Sequence, residues 1–578
     1  VSEVCLNPPE LLDSRRLTGA NLYWNRPSAI IDVALDDRYG DIVRLWRQAA
    51  HSLLAACGLS GQETCQRRFE GGASLLVSAP IDALYSMCEL NELAWAHALH
   101  ETGFGAPPDL EAEIPRLRGL FEAERRPRLL ALQQAAHQHG VPFLWDDDEV
   151  SVGYGAGCQA WPYEAIPEPG EINWPAASSI PLGLVTGTNG KSTSVRMVAA
   201  ILKAAGLRGG LTSTDFIRVG DDIIDEGDYS GTGGARMLLR HPRAQAAVLE
   251  VARGGLLRRG LAVERANAAL ITNVAADHLG EYGINTVAEL IEAKFIVHRA
   301  LGKTSPLVLN ADDAGIVSYE RHLREKVPGM SWWFSLDAGN PRLASARQQG
   351  AIVCWLENDG LWLADASETT PRLLTPAGEV SASLGGMLRH NLQNAMGAGL
   401  LALAMGMPET AVRQGLRAFR GDERDNPGRG NWFEHQGVRI VVDFAHNAHG
   451  LDALAAAVAA LQPKRVIIML GQAGDRSDAS IRETTRSALA MHPGILLINA
   501  LPGYERGREL EEVPRLIRDE ALATGMREEQ LRMLPNPLAA ARVALSEARA
   551  GDVLVLLALT QRREILQLVH EYCSSSGQ

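Results

Sequence analysis

The chain has 578 residues, enough for about three or four domains at roughly 150 residues each. Hydrophobic residues make up 46% and charged residues 22%, the balance of a soluble globular protein, and no apolar run reaches the roughly 20 residues that a membrane helix needs. With 56 basic and 69 acidic side chains the net charge is −13, which argues against broad binding to nucleic acid.

The opening VSEVCLNPPELLDSRR lacks the apolar core of a secretory signal, so a cytoplasmic protein is expected. Cys5, Cys57, Cys65, Cys88, Cys158, Cys354 and Cys573 are scattered without a C-x-x-C pair and read as reduced, buried thiols. Lysine is rare: Lys191, Lys203, Lys294, Lys303, Lys326 and Lys464 are all there is. Arginine carries the general positive charge, so a lysine in a special context is informative.

In chain order, residues 1–170 mix strand-like runs, SAIIDVAL (28–35) and ASLLVSA (73–79), with helical stretches, LAWAHALHETG and PRLLALQQAAHQHG, the second ending at Gly140. An α+β domain is expected there. The Pro/Gly-rich IPEPGEINWPAASSIP (166–181) reads as an interdomain linker. From 182 the grammar changes. GLVTGTNGKSTSVRMVAAILKAAG predicts strand, glycine loop and amphipathic helix, and AAVLEVA (246–252) and AALITNV (268–274) predict buried parallel strands. This is doubly wound α/β patterning. Strand-like GAIVCWL and DGLWLAD follow, and NLQNAMGAGLLALAMG predicts a closing helix. Four apolar strands alternating with helices, RIVVDFAH, KRVIIMLG, GILLINA and DVLVLLAL, form a last α/β block, followed by a low-complexity SSSGQ tail. The boundaries read as 1–170, 171–425 and 426–578.

The strongest chemical signal is Thr186-Gly187-Thr188-Asn189-Gly190-Lys191-Ser192-Thr193 between strand and helix. Glycines let backbone N–H groups approach phosphate oxygens, and a helix N-terminus favours their charge. Lys191 would reach β- and γ-phosphates and Ser192 would bind Mg²⁺. Val185 replaces the first glycine of the usual phosphate-loop pattern. Glu250 ends the LEV strand, where a carboxylate can hold a metal at a nucleotide or simply face solvent. Asn273, Asp277 and His278 in TNVAADHLGEYG read equally as a turn. Lys294 in ELIEAKFIVHRAL reads locally as a helix-surface lysine paired with Glu289 or Glu292. Asn310, Asp312 and Asp313 in LNADDAG read as a turn, and His390, Asn391 and Asn394 in RHNLQNA as a helix start. Arg429 in NPGRGNWFE and Asp443-Phe444-Ala445-His446-Asn447 complete the set.

In this order the motifs TGTNGKST, LEVARGG, NVAADHLG, EAKFIVH, LNADD, RHNLQN, PGR and DFAHN resemble the Mur ligase superfamily. GDYSGTGGARMLL, LEVARGGLLRRGL, ITNVAADHLGEYGI, LGQAGDRSD and YERGRE resemble the Mur-ligase-like module of cyanophycin synthetases. RRLTGANLYWNRPSAIIDVAL (15–35) resembles the start of their N-terminal domain. VSVGYGAGCQAWP resembles the segment where they pass into an ATP-grasp module, but here the chain runs straight on to the phosphate loop. Without that module the chain could not perform the aspartate-adding half of cyanophycin synthesis by itself.

The resemblance implies a three-domain α/β Mur ligase architecture: an α+β N-terminal domain, a central P-loop doubly wound ATPase domain and a C-terminal Rossmann-like domain. It implies an ATP-dependent ligase joining a carboxylate to an amine through an acyl phosphate, with ADP and phosphate released. On that reading Gly187, Thr188, Asn189, Gly190, Lys191, Ser192 and Thr193 bind the ATP phosphates. Ser192 and Glu250 hold a first Mg²⁺, and His278 a second, with Lys294 if that lysine is carbamylated. Asn310 and Asn394 lie toward the adenine and Asp443 toward the ribose or the domain interface. Arg429 steadies the γ-phosphate and acyl phosphate. His446 and Asn447 lie near the cleft, and Arg506 and Arg508 are candidate substrate residues. The acid is expected to be a small or peptide-like carboxylate recognised by the N-terminal domain. The amine is an amino acid, arginine by analogy. The resembled synthetases assemble as oligomers, so the same analogy implies a homo-oligomer. Two departures stand out: the family's D-Y-A-H-N-P reads Asp443-Phe444-Ala445-His446-Asn447-Ala448, and the D-N-P-R signature of diaminopimelate-adding ligases is missing. The missing signature withholds diaminopimelate as the amine, while the altered D-F-A-H-N-A motif and the absent ATP-grasp module motivate an alternative, a catalytically silent ATP-binding regulatory or scaffold homologue. A simple P-loop ATPase does not fit the motifs after residue 250.

Overall fold

A computed structural model describes residues 8–36, 39–365 and 370–574. Cys5 and the end of the SSSGQ tail lie outside them. The first block is a four-stranded antiparallel sheet ordered Glu10–Leu17, Ser28–Ala34, Gly72–Ser78, Thr64–Phe69. Strand side chains alternate between faces. Ala29, Ile31 and Val33 join Trp46 and Trp95 in a core shared with four helices, Gly40–Ala56, Leu84–Glu101, Leu110–Glu124 and Pro127–His139. On the other face Leu17, Ile30 and Leu76 form a small cluster. Asp32 is buried beside it and accepts from Arg15 (2.5 Å) and Ser74 (2.6 Å).

VSVGYGAGCQAWP supplies two strands of a small antiparallel sheet, Phe143–Trp145, Glu149–Val152 and Gln159–Pro162. The stretch expected as a linker runs from the first block to the central strand Leu182–Thr186, packed as a strap. It makes short 3₁₀ turns at Pro169–Glu171 and Trp174–Ala176, and Ile166, Ile172 and Ala177 enter the first core. Trp174 stacks on His139 at 4.4 Å and donates to Pro169 O. Proline and glycine set the turns, while the interleaved apolar residues bury them.

The central sheet has eleven strands. Seven run parallel, in the order Gly209–Thr212, Ala246–Glu250, Leu182–Thr186, Ala268–Ile271, Pro306–Asn310, Met330–Ser335, Val353–Glu357. Antiparallel strands extend both edges. Helix Lys191–Ala204, which follows the phosphate loop, is buried along its first turns because the sheet lies on one side and helices Arg389–Ala404 and Glu409–Ala418 on the other. The last block is a six-stranded sheet, Asn431–His435, Val438–Asp443, Asp552–Leu557, Arg465–Leu470, Ile495–Asn499, Leu531–Leu534, parallel except for its first pair.

Among the described residues no helix is long and apolar enough to cross a membrane. The six described cysteines are free thiols, but only Cys354 is buried; the others are half-exposed, contrary to the expectation of buried thiols.

Gly415 lets helix Glu409–Ala418 lie directly on the phosphate-loop helix, since a Cβ there would sit 2.5 Å from Ile201 Cα. Gly415→Ala is expected to push these helices apart and cost about 1–3 kcal/mol, read as a lower thermal midpoint with the fold retained.

Candidate functional site

The central and last blocks enclose a cavity of about 810 Å³ at the C-terminal ends of the parallel strands, the edge at which open α/β sheets bind ligands. The phosphate loop forms its floor. Gly187 (φ 144°) and Gly190 (φ 83°) hold left-handed backbone, and a Cβ at either would strike Thr272 Oγ1 or Asn394 Oδ1. Only glycine fits both demands. The loop is stitched to the end of the next strand. Thr188 N donates to Asn273 O (2.8 Å) and Asn189 N to Asn273 Oδ1 (3.0 Å), while Thr272 Oγ1 and Asn273 Nδ2 donate to Asn189 O. The free N–H groups of helix Lys191–Ala204 face the cavity, a ready site for an anion. Lys191 Nζ donates to Thr188 O at 2.9 Å.

Glu250 carries the decisive polar feature. It is buried on the cavity wall, and neither carboxylate oxygen has a protein partner. A buried carboxylate left unpaired is costly. A divalent cation taking oxygen ligands, with Ser192 Oγ on the same wall, satisfies it. Lys294 is also buried, 4% exposed, and Nζ donates to Gly187 O at 2.7 Å. Burial, and then the charges of Lys191 and Arg253, push its amine well below the usual lysine range, although Asp277 opposes them. The surface reading of Lys294 is therefore excluded. Its expected partners Glu289 and Glu292 pair instead with Arg67.

Ligand atoms of Asp277, His278 and His446 lie within 4.8 Å of one another, as do those of His278, Glu281 and Asp475. Arg476 donates to Asp277 at 2.6 Å and approaches His278 Nε2 at 3.0 Å. Burial works against the Asp277 charge, but His446, Arg476 and His278 together hold its carboxyl well below the ordinary range. These groups could hold a second cation.

Behind the part of the wall formed by Thr214 and Arg429, Arg196, Arg429 and Arg562 surround Asp215. They come from the phosphate-loop helix, the segment joining the last two blocks, and the final helix Arg562–Ser574. Burial raises the Asp215 pKa, but the Arg429, Arg196 and Arg562 charges outweigh it and hold the carboxyl far below its usual range. Arg429 also donates to Thr214 Oγ1 (2.9 Å), and Arg429 and Arg562 both lie 4.9 Å from the Phe444 ring.

The far end of the cavity is apolar: Phe334, Leu336 and Met387 on one side, Leu454, Ala457 and Ala460 on the other. This slot suits a flat heterocycle. Asn394 lines it, as do His390 and Asn391. Asn391 does not cap its helix; its amide donates to Ala382 O. Asp443 and His446 line the cavity, and burial raises the Asp443 carboxyl. Asn447 bonds Asn189 across the two blocks and caps helix Ala448–Ala460.

Three expected residues stand elsewhere. Asn310 is off the cavity wall, its amide spent on Thr272 O and the Asp312 backbone N–H. Arg508 braces the loop before helix Asp478–Leu489, donating to Gly474 O and Arg476 O and pairing with Asp478 and Glu512. Arg506 is exposed over the Tyr504 ring. Asp313 does serve the turn reading: it caps helix Ala314–Lys326 and accepts from Val274 N. Sequence reasoning missed Arg476, Asp215 and Arg562. Arg476 lies within the quoted LGQAGDRSD, but arginine is too common in this chain to draw notice.

Residues 185–402 match the Mur ligase middle domain and residues 428–558 the Mur ligase glutamate ligase domain. The chain belongs to the Mur ligase superfamily. Cyanophycin synthetase of Crocosphaera subtropica is 33% identical over 346 residues, which is 60% of this chain and 39% of that protein. UDP-N-acetylmuramoylalanine--D-glutamate ligase of Streptomyces avermitilis is 28% identical over 384 residues, 66% of this chain and 69% of that one. Among solved structures, E. coli FolC in complex with DHPP and ADP aligns with a TM-score of 0.49 and 19% identity, over 68% of this chain and 89% of that chain. This Mur ligase homologue spans about two fifths of the length of the cyanophycin synthetases it matches.

Removing Asp215 leaves three guanidinium groups facing one another. Asp215→Ala is expected to cost about 3–5 kcal/mol, measured by urea unfolding. The contribution of the ionised carboxylate is present above the ordinary carboxylate pKa and is lost as pH falls through its depressed folded value.

Proposed function

We propose that this chain is an ATP- and Mg²⁺-dependent ligase that joins a carboxylate to an amine through an acyl phosphate. The observation that carries the reading is the unpartnered, buried Glu250 carboxylate in one cavity with the phosphate loop. A cavity built this way is unstable without a cation and attractive to one that carries phosphate.

The loop from Gly187 to Thr193 cradles the β- and γ-phosphates, with the amides at the start of helix Lys191–Ala204 toward them, and Lys191 turns from Thr188 O to reach them. Ser192 and Glu250 would supply hard oxygen ligands for the first Mg²⁺; His278, through a ring nitrogen, would help hold a second, with Lys294 if that lysine is carbamylated. Bound Mg²⁺ offsets the negative charge crowded around the γ-phosphate. A carboxylate oxygen of the acid attacks the γ-phosphorus, the bond to the β-phosphate oxygen breaks, and ADP is left. Arg429 steadies the transferred phosphoryl group. Closure of the last block over the cavity excludes water from the acyl phosphate. A neutral amine then attacks the carbonyl carbon; the C–O bond breaks, phosphate leaves, and the nitrogen sheds a proton as the amide forms. The apolar slot takes the adenine, with Asn394 at its edge and Asp443 toward the ribose. Residues 1–170 take part in recognising the acid. Cytoplasmic location and self-association belong to the same reading.

Phosphate release from Mg-ATP, measured against a panel of carboxylic acids and amines that includes arginine, tests this. Release is expected only when both an acid and an amine are present. Lys191→Ala and Glu250→Gln are each expected to lower it by on the order of 100-fold. ATP binding by calorimetry without release for any pair would favour the silent regulatory homologue.

A lysine whose amine is held neutral can add CO₂, forming a carbamate and releasing one proton. Turnover is therefore expected to fall in CO₂-depleted buffer and return with bicarbonate, and Lys294→Ala is expected to lose this dependence along with most activity. Identical turnover with and without bicarbonate would remove the carbamate from the reading.

A further inference from the structure

The loop that carries His278 is an unusual piece of backbone. His278 (φ 50°), Gly280 (φ 96°), Tyr282 (φ 55°) and Gly283 (φ 67°) all hold the left-handed region, though two of them carry side chains. Such a conformation persists only where surrounding contacts over-determine it. Within the central block Arg253 grips it, donating to His278 O (2.5 Å) and pairing with Glu281. From the last block Arg476 reaches Asp277 and His278 Nε2 at the start of the loop, and its later residues are held from the N-terminal sheet. Arg67 Nη1 donates to Gly283 O at 2.9 Å, and a Cβ on Gly283 would overlap the Phe69 ring. Arg15 lies over the Tyr282 ring at 4.8 Å.

The same sheet holds the two helices that flank this loop in space. Arg67 Nη2 reaches Glu289 (3.2 Å) and Glu292 (3.4 Å) on helix Val287–Phe295, which carries Lys294. Arg15 Nε donates to Leu257 O (3.0 Å) on helix Arg253–Arg259, which carries Arg253, and Thr18 N to Arg259 O (2.7 Å). Arg15 is itself fixed by the buried Asp32, and Asp32 by Ser74. A buried pair of this kind is weak as a source of stability but strongly directional.

We propose that the N-terminal sheet is a clamp that sets the geometry of loop 277–286, with Arg67 and Arg15 as positioning residues for His278 and Lys294. One sheet thereby fixes three elements that each deliver a group to the cavity. The consequence for the second cation rests on the ligase reading, whereas the clamp itself rests on the contacts above. The N-terminal block is then required for the chemistry even where it touches no substrate.

Hydrogen–deuterium exchange on the full chain tests the clamp, together with Mn²⁺ binding in the presence of ATP, read from the paramagnetic resonance of free Mn²⁺. In Arg67→Ala, exchange of amides 277–286 is expected to rise about tenfold or more and Mn²⁺ binding to weaken by a similar factor. Arg67→Lys keeps the charge near Glu289 and Glu292 but loses the forked reach to Gly283, so it is expected to recover part of both; it carries the test if Arg67→Ala does not fold. Arg26→Ala, which removes an exposed pair with Glu63 beside the same sheet, is expected to move neither. Unchanged exchange and Mn²⁺ binding in the Arg67 variants would overturn the clamp, as would a rise spread evenly along the chain. Raised exchange confined to the loop, with no Mn²⁺–ATP binding even in the wild type, would uphold the clamp and count against the ligase reading.

Discussion

The bond from Lys294 Nζ to the Gly187 carbonyl joins two things that the site needs in fixed relation. One is the phosphate loop, whose path is set by Gly187 and Gly190 and by the ladder of bonds to Thr272 and Asn273. The other is helix Val287–Phe295, whose outer face is held by Arg67. Lys294 sits at 4% exposure between them with its bond going to a backbone carbonyl, and burial pushes its amine well below the usual lysine range. Replace that bond and the loop, the helix and the N-terminal sheet lose their common reference point.

Charge is handled in the same economical way around the cavity. Asp215 serves three guanidinium groups and Asp277 serves Arg476, His278 and His446. Glu250, by contrast, has no protein partner for either oxygen among the described residues. Two carboxylates are thus committed to holding elements together, while the third is open toward the cavity. That contrast separates a structural carboxylate from a ligand carboxylate more sharply than position on a strand can.

The strands, the glycine loop and the α/β alternation were legible because they follow from short-range patterning: apolar runs of four to eight residues and glycines between strand and helix. Lys191 and Lys294 stood out against a background poor in lysine. Asp215, Arg476 and Arg562 did not, because their meaning lies in partners up to 347 residues away and arginine is everywhere in this sequence. The packing of segment 166–181 was hidden for a related reason. Its prolines and glycines speak for turns, and only the fold shows that Ile166, Ile172 and Trp174 pack those turns against the first core. Asn310 and Arg508 misled in the opposite direction, since motif membership says nothing about whether an amide or a guanidinium is already spent nearby.

The two departures from the family's D-Y-A-H-N-P pattern take on a physical meaning in this setting. The guanidinium groups of Arg429 and Arg562 each lie 4.9 Å from the Phe444 ring, and such a contact uses the face of the ring and needs no hydroxyl. Ala448 is the first residue of helix Ala448–Ala460, where proline would only preset a backbone angle. The helix start is secured instead by Asn447, whose side chain accepts from Gly450 N and also meets Asn189 of the phosphate loop. Neither substitution therefore disturbs what the segment does, which is to bring Asp443, His446 and Asn447 against the central block. At both positions the contacts that hold the segment are made without the lost group, so the altered motif by itself gives no support to a silent homologue.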